Sequence, residues 1–165
     1  MIRLAGLSDL PAILLVYEAA RCYMRETGNP TQWGDSNPPQ ATLEEDIRLR
    51  QLYVDVQNGA IHSVFAFVLG EEPTYARIDG AWPNDAPYGT IHRIASDGTV
   101  KGAFGRCMEF CKARSGELRI DTHENNHTMR HLIARHGFRE CGIIHVADGS
   151  PRIAFQYSKT EDQPR

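Results

Sequence analysis

Little in this chain points to an exported, membrane-embedded or nucleic-acid-binding protein. Its 165 residues include four cysteines, Cys22, Cys107, Cys111 and Cys141, and no CxxC pair. Neither a disulfide framework nor a paired-cysteine metal site is therefore expected. No apolar run approaches the ~18 residues that a membrane-spanning helix needs. The opening MIRLAGLSDL lacks the charged and apolar regions of a secretory signal, so a cytoplasmic location is expected. Positive charge is not in excess: 18 Lys and Arg stand against 21 Asp and Glu, a formal net charge of -3. That balance gives no electrostatic reason to expect nucleic acid or an anionic membrane as a partner. Internal repeats are absent, and only residues 161–165 read as a disordered tail.

What is present suits an ordinary soluble domain, 41% apolar and 24% charged, long enough over residues 1–160 to bury a core without disulfides or metal. Cys107 and Cys111 share a helix face by spacing, which favours core packing over redox or metal duty. IRLA suits a strand at 2–5. SDLPAILLVYEAARCYMRETG then reads as a helix, capped by Ser8 or Asp9 and ended by Gly28, with Ile13, Val16, Tyr17, Ala20 and Met24 on one stripe. A loop rich in proline follows, NPTQWGDSNPPQ. The run TLEE at Thr42 matches a capping box closed by Glu45 and predicts a second helix there.

LYVDV and AIHSVFAFVL alternate as strands around Asn58-Gly59, a strong hairpin signal. TYARIDGAW reads as strand-like and WPNDAPYG as a loop. TIHRIAS is a strand, GAFGRCMEFCKARSG a helix, LRIDTH a strand and NHTMRHLIARHG a helix closed by Gly137. CGIIHV and RIAFQYS close the chain as strands around Asp148-Gly149. The order predicts an α/β domain with a mixed, largely antiparallel central sheet of six to seven strands and helices on both faces.

Two segments carry chemistry. In TIHRIASDGTVKGAFGRCMEF a strand turns into a helix through glycines. A helix start presents unpaired amides and the positive end of the helix dipole, so it favours an anion. Gly102 allows close approach of the backbone, and Lys101 adds a positive charge. DTHENNHTMRHLIARHGF holds four of the seven histidines. His127 and His131, spaced i, i+4, share a helix face, which is ligand spacing for a zinc hydrolase. Such a site needs a glutamate after the first histidine, and Thr128 stands there. A surface role is expected for this pair, and no metal.

With these segments in view, the chain resembles the GCN5-related N-acetyltransferase (GNAT) family over nearly its whole length. VKGAFG at 100–105 is similar to that family's pyrophosphate loop, Arg/Gln-x-x-Gly-x-Gly/Ala. NHTMRHLIARHGF resembles its second signature, Asn-x-x-Ala-x-x-x-Tyr-x-x-x-Gly-Phe, with Asn126, Gly137 and Phe138 in register. The chain departs from both. Thr99 takes the first motif position, Phe104 the place of the second glycine, and Ile133 that of the tyrosine which protonates the leaving thiolate.

The resemblance implies transfer of an acetyl group from acetyl-CoA to a primary amine, on a small molecule or a protein, by direct attack in a ternary complex. It also implies the site. Ile94, Ala95 and Ser96 would pair through their main chain with the pantetheine arm. Val100, Lys101, Gly102, Ala103, Phe104 and Gly105 would hold the pyrophosphate, and Asn126 would bond the pantetheine arm or cap its helix. His92 is either a general base or a hydrogen-bonded strand histidine. Gln32, Trp33 and Trp82 would line the acceptor pocket, with Asp35, Asp85 and Asp121 as attractors of a cationic amine. A non-catalytic member that binds an acyl-CoA as a sensor is the alternative reading, and a homodimer is a habit of the family.

Overall fold

Short-range signals in the chain set most of the elements. The computed structural model describes residues 1–159, and these divide into two compact units: residues 1–67 with 92–107, and residues 68–91 with 108 onward. The tail expected at 161–165 lies outside the described residues. No helix among the described residues is long and apolar enough to cross a membrane.

In the first unit β1 (Ile2–Leu4) leads through a 3-10 turn at Leu7–Asp9 into α1 (Leu10–Glu26). Asp9 holds that turn instead of capping α1: its carboxylate accepts the Gly6 amide at 2.8 Å and the Arg3 guanidinium at 2.8 and 3.0 Å. Four residues of the expected stripe, Ile13, Val16, Tyr17 and Ala20, are buried, and the fifth, Met24, is half-buried. The capping box at Thr42 does not form. Helix α2 (Gln40–Arg48) starts directly after Pro39, and Glu45 is drawn to Arg48 one turn on, at 2.8 Å.

Strands β2 (Leu52–Gln57) and β3 (Ala60–Leu69) form the expected hairpin. Asn58 and Gly59 both adopt positive φ, 54° and 78°, the backbone that a two-residue turn of this hand requires. Strand β1 lies antiparallel to β2. Ile13, Val16 and Tyr17 of α1, Leu43 of α2, Leu52 and Val54 of β2, and Val64 and Ala66 of β3 form one apolar core.

The second unit holds β4 (Asp79–Gly80), the start of β5 (Gly89–Ser96), β6 (Glu117–Thr122), α4 (His127–Arg135), β7 (Arg139–His145) and β8 (Pro151–Ser158). Its strand order is β5-β6-β8-β7-β4. The β5–β6 ladder is parallel and covers Gly89↔Leu118 and Thr90↔Arg119; β6–β8, β7–β8 and β4–β7 are antiparallel. Of the expected strand-like run TYARIDGAW, only Asp79 and Gly80 pair as a strand. There Gly80 and Gly142 meet backbone to backbone: a Cβ on Gly80 would lie 2.2 Å from the Cys141 carbonyl oxygen, and one on Gly142 2.1 Å from that of Asp79. With this short strand the described sheet is mixed, mostly antiparallel and eight-stranded, against the six to seven expected. Helix α3 (Ala103–Lys112) buries Cys107 and Cys111, as their spacing suggested.

Candidate functional site

The candidate site builds up along β5 and the turn after it. Halfway along the strand Arg93 adopts φ 51°, a left-handed backbone that costs a non-glycine residue roughly 1–2 kcal/mol. Two contacts hold it there. The Tyr17 hydroxyl donates to the Arg93 carbonyl at 2.6 Å. The guanidinium forks onto Asp46, Nε to Oδ2 at 2.9 Å and a terminal nitrogen to Oδ1 at 2.8 Å. Asp46, from α2, is 3% exposed and also accepts the Gln51 side-chain amide at 2.8 Å. Burial raises the Tyr17 phenol well above its usual range, so it stays a donor. A strained residue held by a buried ion pair is a mark of a site more than of a simple strand. It turns the main chain between His92 and Ile94.

Removing the carboxylate leaves the guanidinium uncompensated. Asp46→Ala is expected to destabilise the protein by about 3 kcal/mol, the lower end of the range for a broken buried pair, because the Arg93 side chain is 25% exposed. Urea unfolding measures this. A loss under about 1 kcal/mol would assign the pair to the class of weak surface bridges.

After Ser96 the chain turns toward α3. The turn uses up its first amides: Gly98 N–H donates to Ser96 Oγ at 3.1 Å and Thr99 N–H to Asp97 Oδ1 at 3.0 Å. Asp97 Oδ2 accepts the His62 Nδ1–H at 2.8 Å, and its amide donates to the His62 carbonyl at 3.0 Å, which ties the turn to β3. Burial opposes ionisation of Asp97, but the Thr99 amide and hydroxyl and His62 outweigh it and hold its carboxyl below the usual range. From Val100 onward the amides are different. Those of Val100, Lys101, Gly102 and Ala103 meet no acceptor among the described residues.

These four N–H groups open α3, where the helix dipole adds its positive end. Gly102 sits at φ 81°. A Cβ there would lie 3.1 Å from an Arg106 terminal nitrogen, so both backbone and space ask for glycine. Arg106 is fixed by Asp55 of β2, Nε to Oδ2 at 2.7 Å, and donates to the Lys101 carbonyl at 2.7 Å. Burial alone would raise the Asp55 carboxyl; bonds from Gln57 and Arg106 outweigh it and hold it low. Four amides, Lys101 and a guanidinium make a cradle fitted to a multiply charged anion such as a pyrophosphate.

His92, Ile94, Ala95, Ser96 and Val100 to Gly105 thus form one run in the first unit. Ala95 is buried in its core; His92, Ile94 and Ser96 are half-buried. Gln32 and Trp33 share the unit: Gln32 accepts the Asn29 side-chain amide at 2.8 Å, and the Trp33 ring meets that of Tyr17 edge-on, centroids 5.6 Å apart. Asp35 pairs with Arg25 at 3.3 Å.

The other candidates lie in the second unit. Trp82 donates to the Tyr75 carbonyl at 3.0 Å and stacks under the Arg119 guanidinium, 3.9 Å from its ring centre. Asp121 accepts the Tyr75 hydroxyl at 2.6 Å, and Asp85 is exposed. Asn126 caps α4 by accepting the Met129 amide at 3.1 Å. Asn126→Ala is expected to cost about 1 kcal/mol through that cap, read from the denaturant midpoint. Ile133 is fully buried and offers no proton. His127 and His131 are exposed. Among the described residues no group of three or more His, Cys, Asp or Glu could hold a metal ion. Arg93, Asp46, Asp55 and Arg106 are absent from the sequence-derived site; the nearest signal was a carboxylate inside the alternating strand LYVDV.

No protein-family model matches the chain, and no curated protein does. Solved structures do. A GNAT-family acetyltransferase from Streptococcus agalactiae is 31% identical, with a TM-score of 0.88 over 96% of this chain and 95% of that one. A provisionally assigned acetyltransferase from Staphylococcus aureus is 27% identical, with a TM-score of 0.70 over 96% and 99%. A provisionally assigned acetyltransferase from Salmonella typhimurium, solved with acetyl-CoA, is 15% identical, with a TM-score of 0.60 over 99% and 96%.

Proposed function

The chain belongs to the GNAT family of acetyltransferases, and we propose from that premise that it moves an acetyl group from acetyl-CoA to a primary amine by direct attack in a ternary complex. The observation that carries this reading is the run of four amides without acceptors, Val100 to Ala103, at the start of α3. We take residues 1–160 as one acetyltransferase domain, supported by the extent of the match to the streptococcal structure.

The amides of Val100 to Gly105 bind the pyrophosphate, with Lys101 beside them. The main chain of Ile94 to Ser96 lies beyond the two-residue ladder of β5 with β6, and it pairs with the pantetheine amides as an added strand would. A main-chain N–H near the Arg93 kink polarises the thioester carbonyl. His92, at the same kink, takes a proton from the ammonium form of the acceptor. The free amine attacks the carbonyl carbon, the nitrogen of the tetrahedral intermediate gives up its second proton to water, and the intermediate collapses as the C–S bond breaks. With Ile133 in place of a phenol, the thiolate takes its proton from water, which a thiol pKa near ~8.5 permits. Gln32 and Trp33, in the same unit as the cradle, contribute acceptor contacts.

Ile133 also favours a second reading, an acyl-CoA-binding sensor without turnover. Both readings require coenzyme binding. Calorimetry with acetyl-CoA, and with acetate as control, tests that shared step: saturable 1:1 binding is expected, and its absence at millimolar ligand rules out both.

A further inference from the structure

The loop that holds the four open amides has the half-buried guanidinium of Arg106 under it. Arg106 makes two bonds in two directions. Its Nε is anchored on Asp55, whose side chain is 1% exposed, and a terminal nitrogen holds the Lys101 carbonyl at 2.7 Å. Its other terminal nitrogen is buried and has no hydrogen-bond partner among the described residues. The Lys101–Gly102 peptide is trans, since the one cis bond among the described residues is Asn37–Pro38. In a trans peptide the C=O and the following N–H point opposite ways. Fixing the Lys101 carbonyl on the guanidinium therefore aims the Gly102 amide away from it.

We propose that Arg106 is the positioning residue of the cradle, fixing the Lys101–Gly102 peptide so that the Gly102 amide faces the coenzyme's pyrophosphate. This rests on the acetyl-CoA reading above. A loop free to flip this peptide would point a carbonyl at the phosphates and repel them. Arginine fits the task because its planar fork reaches an anchor and a target at once, which a single ammonium cannot. The same closeness explains Gly102, where any Cβ would crowd the guanidinium. The unpartnered terminal nitrogen keeps part of the positive charge under the loop, and among the described residues Asp55 is the carboxylate that pairs with the guanidinium.

The test compares two ligands that share the thioester and the pantetheine arm. Acetyl-CoA carries the pyrophosphate; acetylpantetheine does not. Dissociation constants come from calorimetry for the first and ligand-observed NMR for the second. Arg106→Lys is expected to weaken acetyl-CoA about 10- to 100-fold, the value of one or two charge-assisted bonds, and to leave acetylpantetheine within about twofold. Asp55→Asn, which frees the guanidinium from its anchor, is the second variant and should show the same selectivity. A purely structural ion pair would weaken both ligands together or neither, and either result overturns the proposal. Wild-type protein that binds no acetyl-CoA overturns the acetyl-CoA reading itself. Wild-type binding with unchanged variants overturns only the role of Arg106.

Discussion

His92→Gln is expected to lower kcat/KM by ~10²–10⁴-fold, the usual contribution of a positioned base, while acetyl-CoA binding stays as in the wild type. Glutamine keeps polarity and similar size but removes the ionisation. A base must be unprotonated to act, so the wild-type rate should fall as pH drops and the base gains its proton. The variant should lose that acid limb. Protonation of the acceptor amine gives a limb of the same sign, so two acceptors of different basicity are compared. A limb belonging to the enzyme stays where it is, whereas one belonging to the substrate moves with the amine. Near-normal rates with an unchanged profile would make His92 a strand histidine and leave water to take the proton.

A second large effect is expected at Gly102. Substituting aspartate puts an L side chain at φ 81°, strained by roughly 1–2 kcal/mol, and brings a carboxylate next to the four amides that would otherwise meet phosphate. The side chain crowds Arg106 and brings negative charge to the loop. Acetyl-CoA affinity should fall by ~10²-fold or more, since a like charge a few ångströms away opposes binding by several kcal/mol in a partly buried site. At a ligand concentration near 100 times the wild-type Kd, coenzyme stabilises the wild type by about 2.7 kcal/mol, and most of this should vanish in the variant. Gly102→Ala separates strain from charge and should lose much less. An unchanged melting shift in Gly102→Asp would remove the cradle from this loop.

Much of this was legible because it depends on neighbours in sequence. Asn58-Gly59 fixed the hairpin, the i, i+3, i+4 stripe of α1 marked its buried face, and the glycines after TIHRIAS marked the turn into α3. Where local rules competed, the reading failed. TLEE looked like a helix start, but Pro39 begins α2 earlier and Glu45 has Arg48 within reach. TYARIDGAW shrank to a two-residue strand, because its pairing rests on two glycines far apart in the chain, Gly80 and Gly142. The charged scaffold of the site was not legible at all. Asp46 meets Arg93 across 47 residues and Asp55 meets Arg106 across 51, separations that carry no period or motif. The motif departures at Thr99 and Phe104 also look less severe in the fold, since the cradle consists of main-chain amides with Arg106 beneath them.

The measurement that tests the account most directly is thiol release from acetyl-CoA, followed with and without a panel of amines, amino acids and peptides, with the products weighed by mass spectrometry. The account predicts slow release alone, faster release with at least one primary amine, and an N-acetylated product formed in step with free CoA. Saturable acetyl-CoA binding with no amine-dependent release and no acetylated product across the panel would contradict it, and would leave the chain as an acyl-CoA-binding protein whose buried Ile133 marks lost catalysis.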